Sequence, residues 1–144
     1  MIKRYGEVPK SGVQYQHRPG VYAVLALGRS VLLTHQAEPV PEIQLPGGGV
    51  DPGEAPISAL HREVFEETGY SISSPIKLGA YRRFTYMPEY DMWAEKLCHI
   101  YLARPVLRHG PPRELGHTPL WVGWAEAAEM LVNEGDRAFL ETVF

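Results

Sequence analysis

A helix-sized segment with hard boundaries, residues 55–68, most constrains the fold of this chain. Pro56 suits the first helical turn, where its missing N–H is not needed. Gly69 suits the left-handed position just past a helix end. Between them Ile57, Leu60 and Val64 fall at i, i+3 and i+7, one apolar stripe that must bury itself against another layer. The helix should begin near Ala55 or Pro56 and stop at Gly69. Upstream, residues 36–53 hold Pro39, Pro41, Pro46, Gly47, Gly48, Gly49, Pro52 and Gly53 and are expected to be a loop.

The rest of the chain supplies the partner layers. Val21–Leu27 and Val31–Leu33 are β-forming runs split by Gly28-Arg29, the pattern of a hairpin. Further strands are expected around Lys77–Tyr86, Lys96–Ala103 and Leu120–Val122, with a Gly/Pro-rich loop at Arg108–Pro119. Trp124, Ala127, Ala128 and Leu131 repeat the helical period as far as Glu134, and Gly135 should end that helix. Asp136 should then cap a short final helix carrying Phe139, Leu140 and Val143. Residues 1–20 are a polar lead-in with room for one short edge strand. Strands early and late, with helices between and after them, predict an α/β (α+β) sandwich around a mixed sheet. At 144 residues, one domain spanning 1–144 is expected.

Composition excludes several classes. Hydrophobic residues make up 44% and charged residues 22%, which argues against disorder. Cys98 is the only cysteine, so an intrachain disulfide or multi-Cys zinc site is ruled out. A reducing, cytoplasmic setting is expected. Residues 1–16 show no continuous apolar run of signal-peptide type, and no run approaches the ~18 apolar residues of a membrane span. The net charge of −3 gives no broad basic surface for nucleic acid.

That charge is unevenly spread. Segment 48–70 holds Asp51, Glu54, Glu63, Glu66 and Glu67 against Arg62 alone, a net of −4, and the remainder is near neutral at +1. Glu63, Glu66 and Glu67 are related by i+3 and i+4, so they share the helix face flanking the apolar stripe. Like charges at that spacing cost roughly 0.2–0.5 kcal/mol per pair. Glu66 and Glu67 also lie near the helix C-terminus, where the dipole disfavours anions. Locally poor choices of this kind tend to mark function. Charge alone favours a solvated helix face. A divalent cation would reverse the repulsion, and clustered carboxylates suit a hard ion such as Mg²⁺. The glycines before the helix allow close backbone approach to a ligand.

The spacing is more specific than the charge. Gly48, five residues, Glu54, seven residues, Arg62-Glu63-Val64, one residue, Glu66-Glu67, one residue, Gly69-Tyr70 resembles the Nudix box at every specified position. Leu45-Pro46-Gly47 resembles its usual lead-in. The box covers 23 of 144 residues. The resemblance implies an α/β/α sandwich around a mixed sheet, with the box as loop–helix–loop. It implies a pyrophosphohydrolase using Mg²⁺ (or Mn²⁺), in which water attacks a phosphorus of a diphosphate linkage in a nucleoside diphosphate derivative. Matched by motif position, Glu66 and Glu67 are expected as metal ligands, Glu63 as ligand or general base, and the Gly47 carbonyl as a further ligand. Arg62 is expected to orient the glutamates, and Gly48 and Glu54 to support the loop. Some family members take another acid from a later loop. Glu114 is the first candidate for it and Glu95 the second, the alternative being a surface pair between Glu114 and Arg113.

Other residues carry weaker signals. Arg18, Arg82 and Arg83 are candidate phosphate clamps, although strand alternation lets only one of the last two face a site. Tyr86, Tyr90 and Trp93 can stack on a base or simply pack. Tyr86 lies sixteen positions after the box, a spacing that resembles the diadenosine polyphosphate hydrolases of the family, and Pro88 is near, but not at, the proline spacing of its ADP-ribose hydrolases. The six histidines show no metal-ligand spacing and are expected in surface or packing roles. Cys98 is expected to be a buried small hydrophobe. The expected partner is a small-molecule nucleotide derivative. A homodimer is allowed, and no membrane is expected. Two rival readings remain: a catalytically silent nucleotide-binding module, and removal of pyrophosphate from RNA 5′ ends. The intact acidic set argues against the first. The near-neutral remainder argues against the large basic groove the second requires.

Overall fold

The structure, a computed structural model, describes residues 2–144. In chain order the elements are β1 (Lys3–Tyr5), β2 (Gln16–Leu27), β3 (Ser30–Gln36), β4 (Glu42–Gln44), β5 (Gly47–Gly49), α1 (Pro56–Thr68), β6 (Tyr70–Met87), β7 (Met92–Arg108), β8 (His117–Gly123), α2 (Trp124–Met130) and α3 (Glu134–Val143). The strands form one mixed sheet in the order β1-β6-β7-β2-β3-β4, with β5 on β2 and β8 on β3. The β1–β6 and β2–β7 pairs are parallel and the others antiparallel.

Two cores lie on opposite faces of this sheet. Val21, Ala23 and Leu25 of β2 meet Ala59, Leu60 and Val64 of α1 on one side. Tyr22 and Val24 meet Ala127 and Leu131 of the α2 region and Leu140 of α3 on the other. Period-2 alternation in β2 thus serves both layers of an α+β sandwich. Among the described residues no helix is long and apolar enough to cross a membrane.

Helix α1 has the predicted boundaries. Gly69 adopts φ 78° and donates its N–H to the Phe65 carbonyl at 2.9 Å. A Cβ there would also collide with the Gly110 carbonyl oxygen, so the position demands glycine twice over. The stripe differs from expectation at Ile57, which is 41% exposed. Ile57 points within about 20° of Val64 around the axis. Its exposure therefore reflects its place at the first turn, not its direction.

Other segments differ from the sequence reading, among them β2, which begins at Gln16 within the expected lead-in, and β8, which begins at His117 within the expected Arg108–Pro119 loop. Residues 36–53 are not all loop: the Pro46 carbonyl accepts from Ala23 N–H at 2.9 Å, and Gly47–Gly49 pair with β2 as a strand. Strands β6 and β7 extend well beyond their predicted ends, because register shifts between Ser71 and Ile72, Ser73 and Ile76, and Lys77 and Gly79 absorb the breaker residues Ser73-Ser74-Pro75. The C-terminal helices break earlier than expected. Helix α2 ends at Met130, and Asn133, not Asp136, caps α3 by accepting from Gly135 N–H at 2.9 Å. Gly135 lies in the first turn of α3 instead of closing α2, and it is glycine because a Cβ there would strike the Tyr81 ring.

Asp136 is buried instead of capping. It accepts from Tyr81 Oη at 2.6 Å and from Leu45 N–H at 3.3 Å. Burial raises its pKa, with those two donors acting in opposition. This contact ties α3 and β6 to the residue before Pro46-Gly47, and so helps fix the glycine strand.

Candidate active site

The site is built where the glycine strand lies flush against α1. Gly47 sits at φ 152°, and an added Cβ would strike the Val21 carbonyl and come within 2.6 Å of Tyr22 Cα. Only glycine fits there. Its N–H donates to Glu67 Oε1 at 3.2 Å. Gly48 has the same close approach to a different acid: a Cβ there would lie 2.5 Å from Glu63 Oε2. The backbone of β5 therefore faces both carboxylates directly.

Arg62 organises the acids from the solvent side. Its Nε and Nη2 donate to the two Glu54 carboxylate oxygens, each at 2.8 Å, a bidentate fork. Nη1 donates to Glu63 Oε1 at 2.9 Å and to Glu66 Oε2 at 3.4 Å, while Nη2 also reaches the Gly49 carbonyl at 3.1 Å. Glu54 in turn accepts from Asp51 N–H at 3.0 Å, closing the turn before α1. The hydrogen bonds from Arg62 and Asp51 hold the Glu54 carboxyl down at about 2. One guanidinium thus joins loop, strand and helix.

The two inner acids are perturbed the other way. Burial pushes the Glu63 carboxyl up to about 7; Arg62 opposes this, and neighbouring Glu66 and Glu114 add to it. Glu67 is almost fully buried, and burial raises its pKa well above the ordinary range despite the bond from Gly47. Glu63, Glu114 and Glu66 raise it further. A bound cation would offset the repulsion these groups share.

A later loop completes the cluster. The N–H groups of Arg113 and Glu114 both donate to the Glu66 carbonyl at 2.9 Å, satisfying an otherwise open carbonyl in the last turn of α1. Glu114 is thereby delivered beside Glu63 and Glu66, with ligand oxygens all within 4.8 Å of one another. Arg113 does not pair with Glu114 but lies over the Phe65 ring at 4.9 Å.

His117 belongs to the site and its role was not anticipated. It forms a second potential ligand group with Glu67 and Glu114, its nitrogens 3.8 Å from a carboxylate oxygen of each. Thr34 Oγ1 lies 3.1 Å from Nδ1 and orients the ring. Burial lowers the pKa of His117, which favours the neutral imidazole a metal needs. The only sequence signal was its i+3 spacing from Glu114, and β3, which positions it, is remote in sequence.

Beside the acids lies a cleft of ≈ 230 Å³, bordered by Glu63 and Glu67 on one wall and by Arg18, Tyr90 and Lys96 on another. Arg18 is held over the Tyr90 ring at 4.8 Å. Gln36 and Gln44 also line the cleft, bonded to each other at 3.2 Å. Arg82 does not reach it. Arg82 pairs with Glu95 at 3.4 Å, which also removes Glu95 from the acidic cluster. Arg83, one residue on, takes the other face. Tyr86 turns away as well, donating to Asp91 and packing on Trp93 at 5.2 Å. Cys98 is buried, with its thiol pushed up to about 11 by burial.

Residues 16–143 match the family described as the NUDIX domain, and the chain belongs to that family. The same fold is seen in a NUDIX hydrolase from Nitrosomonas europaea, with a TM-score of 0.73 and 21% identity over 89% of this chain and 88% of that one. A MutT NUDIX hydrolase from Burkholderia pseudomallei gives a TM-score of 0.70 and 23% identity, covering 90% and 99% of the two chains. A Bacillus subtilis protein provisionally named an 8-oxo-dGTP diphosphatase is 35% identical over 74 residues, 51% of this chain and 50% of its own length. An RNA pyrophosphohydrolase of Cereibacter sphaeroides is 44% identical over 55 residues, 37% of this chain and 34% of its own length. The chain thus spans about half or less of the curated relatives it matches.

Proposed function

We propose that this protein hydrolyses a diphosphate linkage in a nucleotide derivative, using divalent cations held by Glu63, Glu66, Glu67 and Glu114. The observation that carries this reading is the electrostatic misfit of the cluster. Several carboxylates converge within 4.8 Å groups, two are pushed toward protonation, and Arg62 and the Gly47 N–H offset them only in part. The four carboxylates are a hard oxygen donor set, the chemistry Mg²⁺ or Mn²⁺ accepts. A bound cation would neutralise phosphate charge and lower the pKa of a bound water.

The chain's own residues then have distinct work. Glu63, against the glycine strand and lining the cleft, is placed to take a proton from water wherever it is not itself occupied by the cation. Glu67, fixed by Gly47 N–H, holds its place against the strand backbone. Arg62 and Glu54 hold the acidic face in one geometry, which restricts how water and phosphorus meet. A binding-only module has no need to retain perturbed carboxylates at the mouth of a cleft. The names of the curated relatives add an oxidised purine triphosphate and RNA ends to the substrates worth trying.

The experiment is a panel of nucleoside triphosphates, 8-oxo-dGTP, nucleotide sugars, ADP-ribose, dinucleoside polyphosphates and 5′-triphosphorylated RNA with Mg²⁺ or Mn²⁺, reading phosphate or pyrophosphate release. Turnover of at least one, abolished by EDTA, is expected. No turnover on any would move the reading to a nucleotide-binding module.

A further inference from the structure

Three cations stand side by side in the sheet, and among the described residues none has a carboxylate within the 4.0 Å of an ion pair. Arg18 of β2 is the register partner of Lys96 of β7, and Lys96 is also the partner of Arg83 of β6. Direct partners share a face of the sheet, and in the antiparallel β6–β7 pair their Cβ atoms lie about 4.5–5.5 Å apart. Like charges placed this way are destabilising. Among the described residues every ion pair involves Arg62, Arg82 or His117, so none relieves this row. The buried carboxylate on this face, Asp136, acts on Arg83 and Lys96 only from beyond ion-pair distance, its two oxygens being engaged by Tyr81 and Leu45.

All three cations are half-buried, and Arg18 and Lys96 line the same cleft as Glu63 and Glu67. Stacking on Tyr90 restrains Arg18 but leaves its N–H fork unpaired by charge. A neutral nucleobase asks for stacking and a few hydrogen bonds. It gives no reason to assemble three unpaired cations. A phosphate does, through charge-assisted hydrogen bonds that cancel the repulsion of the row.

We propose that the Arg18–Lys96–Arg83 row binds a second phosphate of the substrate, separate from the diphosphate that is cleaved. The inference rests on the hydrolase reading only for where the cleaved diphosphate lies, at the acidic wall. The substrate class is then a nucleotide phosphorylated at two places. The second phosphate is either a ribose 3′-phosphate on a small nucleotide or the first phosphodiester of a 5′-phosphorylated oligonucleotide. The two sources share one chemistry.

The test is binding in EDTA, where the acidic wall lacks a cation and repels phosphate, so the row alone supplies attraction. Adenosine, adenosine 3′-monophosphate and the dinucleotide ApA, none of which carries a 5′-phosphate for the acidic wall to repel, are titrated by calorimetry. At least one of the two phosphate-bearing probes should bind at least tenfold more tightly than adenosine, and the tighter one identifies the source. Lys96→Gln and Arg83→Gln, each checked for folding by circular dichroism, should remove that advantage. Arg82→Gln, an equal charge change on the opposite face, should preserve it. Failure of both probes to reach a tenfold advantage, or equal losses in Arg82→Gln and Lys96→Gln, would overturn the proposal. Hydrolysis plays no part in this measurement, so an absence of turnover would sink the hydrolase reading and leave the row standing.

Discussion

Replacing Gly48 by alanine separates the geometry of the site from the stability of the fold. The Gly48 backbone lies in an ordinary strand conformation, paired with Val21, so alanine is tolerated there by φ and ψ. The added methyl would lie 2.5 Å from Glu63 Oε2, 2.6 Å from its Cδ and 2.9 Å from Oε1. An unstrained contact needs about 3.5 Å, so the carboxylate must retreat by roughly 1 Å. It is the free end of a flexible side chain, and the retreat costs the fold little. A displacement of about 1 Å at a reacting group costs on the order of 10²-fold in rate. Gly48→Ala is therefore expected to melt within a few degrees of the wild type yet lose about 10²-fold in metal-dependent kcat/KM. Gly47→Ala is the contrast, since its methyl would meet backbone atoms of Val21 and Tyr22 that cannot retreat. That variant should lose fold stability as well. The assay pairs thermal melting with phosphate release for both variants. Near-normal turnover in Gly48→Ala would refute the placement of Glu63 against the glycine strand.

Three further outcomes follow from the same geometry. Arg62→Lys keeps the charge but loses the fork on Glu54 and the reach to Glu63 and the Gly49 carbonyl, so steady-state turnover should fall at least tenfold. Because Glu63 is held at about 7 rather than 4.5, the folded, metal-free protein binds more protons than the unfolded chain between those values, and its stability falls as pH rises through them. Integrated from about pH 5.5 to 8.5, this amounts to about 2 kcal/mol; His99 and His117, lowered by burial, act the opposite way, so urea unfolding in EDTA should show it as the difference between wild type and Glu63→Gln. Tyr81→Phe leaves a buried Asp136 oxygen without its donor and should cost about 2 kcal/mol in urea unfolding.

Much of the fold and site was legible because the signals were local. Pro56 and Gly69 bound α1, and the i+3 and i+4 spacing placed Glu63, Glu66 and Glu67 on one face before any tertiary contact was known. What the sequence concealed was long-range. His117 reaches Glu67 only because β8 pairs with β3, and Lys96 becomes a cleft residue only through its register with Arg18. Alternation allowed one of Arg82 and Arg83 to face a site without saying which, and the pairing of Arg82 with Glu95 decided it. Proline and glycine in 36–53 suggested loop, whereas the glycines served a strand pressed against Val21 and Tyr22. Asp136 carried the residue type of a cap but is the buried partner of Tyr81, a contact 55 positions away.

The central claim is that the buried carboxylates work as a cation seat for hydrolysis, and Glu67→Gln tests it most directly. Glutamine matches the size of Glu67 and can still accept from Gly47 N–H, while removing the charge from a group already pushed toward protonation. Without metal the variant should melt at or above the wild-type temperature, and with the substrate that the panel selects and saturating Mg²⁺ it should lose turnover by at least 10²-fold. A folded Glu67→Gln protein with near-wild-type turnover would contradict the account.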